Sequence, residues 1–324
     1  MKTFRRPWKA TQAITAEIAN ATEYVSAMAE QIKPYDSKLQ AGALLLPTFA
    51  VLVAFLYYPS IETFRLSLYE TLFLGQQRQW IGLQNFIDLA TSSTYQNSFT
   101  ISLLFAAIVV VGTIMISLFI GYMLFEVSVG TSTYLVAAIW PYALPPAVAA
   151  ILLNFLMHPN LGIITHYLEL FTPLTLDWFN NGTQAFLLLA IVAIWKQLGY
   201  NIIFIVAALN NIPETLTESA RLDGVGRLKM LFKVYVPLIS PTMVFLVVMN
   251  TIYSFFATFP LVDLMTSGGP SEATNLLIFK LYRDAFEFSN LGYASAQSVV
   301  LFLLVAALMY VQIRVSEGYA QYGA

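Results

Sequence analysis

The sequence predicts an all-α, polytopic membrane protein with six transmembrane helices and both termini in the cytoplasm. Three observations predict it: charge is scarce, apolar runs are long, and Lys and Arg gather on one side. Of 324 residues, 58% are hydrophobic and 10% are charged, against about 25% charged in an ordinary soluble domain. A soluble chain of this length would cover its cores with charge, so the solvent here is lipid. A mean hydropathy of +0.69 agrees. The 16 basic and 18 acidic residues nearly cancel to a net charge of -2, which argues against a nucleic-acid partner. With no cysteine, a disulfide framework, a zinc ribbon, an iron-sulfur ligand set and a thiol nucleophile are excluded.

Each span follows from a charge-free run long enough to cross a hydrocarbon core of about 30 Å at about 1.5 Å per helical residue. In order, the runs are Ala41 to Tyr58, Phe99 to Phe125, Tyr134 to Met157, Thr183 to Leu209, Leu238 to Val262 and Leu291 to Ile313. The fourth contains one charge, Lys196. Eleven Lys and Arg fall in the N-terminal segment, the loop between spans four and five and the C-terminal tail, and four fall on the opposite side. Cytoplasmic loops carry that excess, which orients the chain.

Residues 1 to 40 read as a cytoplasmic leader and 41 to 324 as the membrane domain. Arg5 and Arg6 come early, but no apolar run of signal-peptide length follows them. Ile14, Ile18, Ala21, Val25 and Met28 recur at helical spacing, which suits a helix lying on the membrane or on another subunit. A partly ordered polar leader is the alternative.

The third span contains Ile139-Trp140-Pro141-Tyr142-Ala143-Leu144-Pro145-Pro146. Three prolines within six residues remove backbone donors, which lipid-exposed helices tolerate poorly. Either this span borders an interface or a cavity, as in transporters with discontinuous helices, or it is simply kinked. In the fourth span, Lys196, Gly199 and Tyr200 share one helical face, with Gln197 and Asn201 beside it. Lys196 either faces water, a partner or a solute, or it snorkels or pairs with a carboxylate of another subunit. Asn250, Tyr253 and Ser254 make a second polar patch in span five. Lys196, Gln197, Tyr200, Asn250, Tyr253 and Ser254 are the candidate substrate residues, because aromatic faces beside amides and hydroxyls suit sugar rings.

Between spans four and five runs Glu214 to Pro241. It reads as a short helix entered through Pro213, a turn at Gly224, and a second short helix ended by Pro237. Glu218, Ala220, Asp223, Gly224, Pro237 and Pro241 fall where the EAA loop of ABC importer permeases has its pattern, and the run resembles that loop. It departs at Ser219, Val225, Leu231 and Val236, all small or apolar exchanges.

Other stretches resemble the carbohydrate branch of that family: Leu46-Pro47, Tyr58-Pro59, Leu66-Ser67-Leu68, Gly82 to Phe86, Pro141-Tyr142, Pro145-Pro146, Leu209 to Pro213, Thr266 to Pro270, Ala273-Thr274 and Gly292 to Ser298. The resemblance covers nearly all of 41 to 314 and implies the type I importer permease fold, with a family core of about 98 to 314 and a coupling loop at 209 to 238. It further implies an inner-membrane subunit with no cofactor of its own, paired with a second homologous permease, two ATPase subunits that hold ATP and Mg, and an extracytoplasmic solute-binding protein. Glu218, Ser219, Ala220, Asp223, Gly224 and Pro237 would dock the ATPase, and the substrate would be a carbohydrate. Lys196 beside a sugar site favours an acidic one such as a uronate oligomer, and the chain as a whole also resembles an alginate importer permease.

Competing classes fit less well. An ion-coupled secondary transporter, the main alternative, has no use for an EAA-like loop, and no inverted repeat is evident. His158 and His166, both expected in an outer loop, form no His-Glu-x-x-His site. No phosphate loop is present, so ATP hydrolysis resides on another chain.

Overall fold

A computed structural model of the chain describes residues 38–72, 77–127, 129–173, 175–222 and 224–317. Most of the expected leader, and Asp223 of the coupling loop, lie outside the described residues. The chain divides into two compact units after Glu62. In the first, the described chain is helical: α1, Leu39–Leu66, is long and apolar enough to cross a membrane and enters the second unit at its end.

The second unit opens with a two-stranded antiparallel hairpin, β1 Tyr69–Leu72 and β2 Gln77–Trp80, in the register Tyr69↔Trp80. It is the one departure from an all-α chain among the described residues. Asn85, on α2 (Gln84–Thr91), holds it by donating to the carbonyls of Ser67 and Tyr69 at 2.9 and 3.0 Å. The Thr71 hydroxyl accepts from the amide of Gly292 at 3.0 Å.

Helix α3, Ser93–Glu126, starts where the Ser92 hydroxyl accepts from the Tyr95 amide; a serine in that position satisfies one of the free amides of a first turn. The third predicted span divides into α4, Thr131–Ala143, and α5, Pro146–Leu156, bent by 95°. A short helix α6, Ile163–Phe171, follows, so His166 is helical rather than in a loop. Next is α7, Gly182–Asn210, capped by the Asn181 side chain. It is the central helix of this unit: 61% of its apolar stretch is buried, against 33% for α3 and 17% for the last span. Small residues set that packing. Gly112 and Gly121 of α3 lie so close to Ile194 and Ile205 that a methyl group at either position would crowd them.

The segment between spans four and five supplies α8, Glu214–Leu222, and α9, Arg227–Met230. The fifth span is α10, Ser240–Ala257, which is shorter than the charge-free run. Between the fifth and sixth charge-free runs the chain forms a π turn Val262–Thr266, a helix α11 Leu277–Tyr282 and a second π turn Arg283–Glu287. Helix α12, Leu291–Glu317, completes the unit. Two π turns in the unit, Leu231–Tyr235 and Tyr253–Ala257, come just before Pro237 and Pro260. Proline removes an amide and crowds the carbonyl four residues earlier, and a widened turn accommodates both effects.

Candidate functional site

The site begins with the break in the third span. In a continuous helix the carbonyls of Pro141 and Tyr142 would accept from the residues at 145 and 146, but both are prolines and have no amide to give. Leu144 is extended, and α5 restarts with Pro146 in its first turn. The last turn of α4 therefore ends with carbonyls that need donors.

Lys196 reaches that turn from α7. It is 4% exposed, and its Nζ donates to the carbonyl of Tyr142 at 2.8 Å and lies 5.1 Å from the Tyr142 ring centre. Among the described residues no carboxylate lies within ion-pair distance of it. One turn further along, Gly199 brings the two backbones together: a methyl group there would sit 2.8 Å from the Ile139 carbonyl oxygen and 2.9 Å from Tyr142 Cβ. Rings flank the junction. Trp140 meets Trp195 edge-on at 6.0 Å, and Tyr142 packs on Tyr200 at 5.5 Å. From Tyr200 a row continues to Phe204 at 4.9 Å and on to Phe245 at 5.2 Å.

The span-five candidates lie on the other side of α7 and are occupied by the fold. Asn250 and Asn201, both fully buried, exchange hydrogen bonds through their side chains at 2.7 and 3.1 Å. Their remaining amide hydrogens go to the carbonyls of Leu246 and Gln197 at 2.7 and 3.0 Å, so all four donors are used. The Tyr253 hydroxyl donates to the Ala193 carbonyl at 3.2 Å, and Ser254 donates to the Asn250 carbonyl at 2.7 Å. Gln197 and the half-buried Tyr200 make no side-chain hydrogen bond among the described residues. Thus Lys196 and Tyr200 meet Tyr142 of α4, and Gln197 lies beside Asn201, whereas Asn250 and Tyr253 bind α10 to α7 and Ser254 bonds within α10.

The sequence reading grouped Asn201 with the polar strip but did not anticipate that it pairs with Asn250. Tyr142 was noted only as part of the proline-rich run. Its signal was available: a proline four residues downstream marks a carbonyl without its helical donor.

In the loop between spans four and five Gly224 has φ +71, in the left-handed region that suits glycine. Beyond it the Val225 amide donates back to the Ala220 carbonyl at 3.2 Å, the long bond of a Schellman ending. Glu218, Ser219 and Gly224 are exposed, Ala220 and Pro237 half-buried. Pro237 does not end the second helix as expected. The π turn Leu231–Tyr235 absorbs its missing amide, and the helix continues to Leu238. Tyr235, fully buried, seats this segment against Tyr122 and Phe125 of α3 at 5.8 and 5.6 Å.

Residues 114–317 match the family described as binding-protein-dependent transport system inner membrane component. The chain is 40% identical over 281 residues to the sn-glycerol-3-phosphate transport system permease protein UgpA of Escherichia coli O6:K15:H31, covering 86% of this chain and 94% of that protein. It is 41% identical over 281 residues, with the same coverage, to the protein of that name from Yersinia enterocolitica. Its fold is similar to that of a bacterial ABC transporter involved in the import of the acidic polysaccharide alginate, with a TM-score of 0.76 at 20% identity over 90% of this chain and 98% of that one. The chain belongs to the binding-protein-dependent inner membrane components: it is a multi-pass inner-membrane permease subunit of an ABC importer, working with a periplasmic binding protein and a separate ATPase.

Proposed function

We propose that this permease imports a small organic anion, a phosphorylated polyol of the glycerol-3-phosphate kind. Two permease subunits, this chain and a homologue, pass it by alternating access, while a pair of ATPase subunits engages the 209 to 238 loop through Glu218, Ser219, Ala220, Asp223, Gly224 and Pro237. Residues 1 to 40 are read as the cytoplasmic leader and 41 to 324 as the membrane domain.

Lys196 carries the reading of the substrate. An ammonium in a membrane-spanning helix is unfavourable without compensation, and among the described residues Lys196 has a carbonyl and a ring for partners but no carboxylate. Of its three N–H groups, one is given to Tyr142. A phosphate would take the others in charge-assisted hydrogen bonds and offset the burial. Tyr200, beside Lys196 against Tyr142, and Gln197 on the adjacent strip offer a hydroxyl and an amide to polyol oxygens. The relatives named for sn-glycerol-3-phosphate transport support this choice of anion.

A second reading, an acidic carbohydrate such as a uronate oligomer or alginate, is favoured by the row Tyr142, Tyr200, Phe204 and Phe245, since ring faces stack on sugar C–H surfaces. Competition against uptake of labelled sn-glycerol 3-phosphate separates the two readings in cells expressing the complete transporter. Phosphorylated polyols should compete, neutral sugars and uronate oligomers should not, and Lys196→Met should lower uptake about tenfold or more, the equivalent of one charge-assisted contact. Equal competition by neutral sugars would overturn the anion, and stronger competition by uronates would favour the second reading.

A further inference from the structure

We propose that Lys196 is the positioning residue that sets the angle of the broken third span, supplying from span four the donor that Pro146 cannot give. The inference does not depend on which solute is carried.

The two halves of the broken span have different main anchors, although Ala150 and Leu153 of α5 also join the buried cluster around α7. Helix α4 lies on α7, where Gly199 permits backbone contact at Ile139. Helix α5 is tied at its far end to the outer segment: Asn154 donates to the carbonyls of Leu264 and Met265 at 2.9 and 3.2 Å, and the Trp178 indole donates to the Met157 carbonyl at 2.7 Å. The joint between them, Leu144 and Pro145, contains no helical hydrogen bond from either proline. The angle of 95° therefore needs a restraint other than the backbone ladder.

Lys196 meets the requirements for that restraint. The carbonyl it caps is the one left open by Pro146, two residues before the joint. A long side chain is needed, because the donor must come from a neighbouring helix. A cation is suited to the position, since the carbonyl end of a helix carries roughly half a negative charge. That partial charge also explains how an ammonium is held in a span without a carboxylate. The ring contacts Trp140 to Trp195 and Tyr142 to Tyr200 lie on either side of it and limit sideways movement of the turn. Removing the donor takes away the one hydrogen bond that joins the Tyr142 carbonyl to span four.

This chain has no cysteine, so two introduced thiols are the only ones it contributes, and it is labelled before assembly with its partner subunits. Val136 on α4 and Phe155 on α5 are 68% and 66% exposed, and Val136→Cys with Phe155→Cys labels the two sides of the joint. Distances are measured by pulsed electron resonance on the complete transporter in proteoliposomes, with neither solute nor nucleotide present. In the otherwise native chain we expect a narrow distribution. With Lys196→Met it should broaden and its maximum shift by several ångströms, and with Lys196→Arg, which keeps a cationic donor, it should narrow again.

A native distribution in Lys196→Met overturns the proposal, as does a broad one in Lys196→Arg. If Lys196→Met does not assemble with its partner subunits, assembly and a narrow distribution in Lys196→Arg sustain the donor role, and failure of both variants overturns it. Because no solute is present, the outcome is separate from the substrate reading: a released joint with unchanged anion selectivity would remove that reading and leave this one.

Discussion

Two charged side chains are buried among the described residues of the second unit, and their surroundings differ. Asp284, near the outer end, is 7% exposed and has a full set of partners. Lys280 pairs with it at 3.1 Å, the Gln297 amide donates to it, and its own backbone carbonyl accepts from Asn290 at 2.9 Å. All of these lie between 280 and 297, on one local turn and the start of α12. Lys196, in the middle of α7, has a distant carbonyl and a ring face. A buried charge that meets its opposite contributes to holding the fold, whereas one balanced only by dipoles keeps the capacity to answer an incoming charge or a moving helix.

Breaking the complete cluster should have the largest effect on stability. Asp284→Ala leaves the Lys280 ammonium, mostly buried, without its counter-charge, and removal of one partner from such a pair costs about 3–5 kcal/mol. Thermal unfolding of the purified complex should move down well beyond the shift caused by Lys196→Met, and an equal or smaller shift would dissolve the contrast between the two charges.

A neutral polar pair sharpens the comparison. Asn250→Leu leaves the Asn201 amide buried without its partner, at about 1–3 kcal/mol, whereas the joint change with Asn201→Leu removes both groups and should recover part of the loss. Losses that simply add in the double variant would show that the two amides do not act as a unit.

The smallest effect on stability is expected at the coupling loop. Nothing lies within 4 Å of a methyl group placed on Gly224, so Gly224→Val should cost only the left-handed backbone, about 1–2 kcal/mol. Assembly should survive while ATP hydrolysis no longer responds to solute-loaded binding protein. Normal coupled uptake in that variant would rule out a special role for the turn.

Much of this architecture was legible in the residues because each feature answers a local demand. Charge-free runs located five continuous spans and one broken one, and the three prolines of the third run announced the break. Gly224 at the end of α8 was readable as a turn, since the left-handed position suits glycine. Pro237 was misread because a proline usually ends a helix, whereas the π turn before it restores the path. The hairpin was also missed: Tyr69–Leu72 and Gln77–Trp80 are short, polar strands whose registration depends on Asn85 and on the start of α12.

By itself, then, the sequence determined the solvent, the number and order of the spans, the orientation expected from Lys and Arg, and the presence of one charge where charge is unfavourable. These depend on composition and on spacing along a single helix. Only the tertiary structure decided which polar groups are spent. Asn250, Tyr253 and Ser254 had the same appearance in the sequence as Lys196, Gln197 and Tyr200, yet the first three satisfy one another and α7, while Lys196 faces the open end of α4. Two of these hydrogen bonds join residues more than 50 positions apart in the chain. Helical periodicity says which face a side chain occupies, and only the packing of the neighbouring helix says what it meets there.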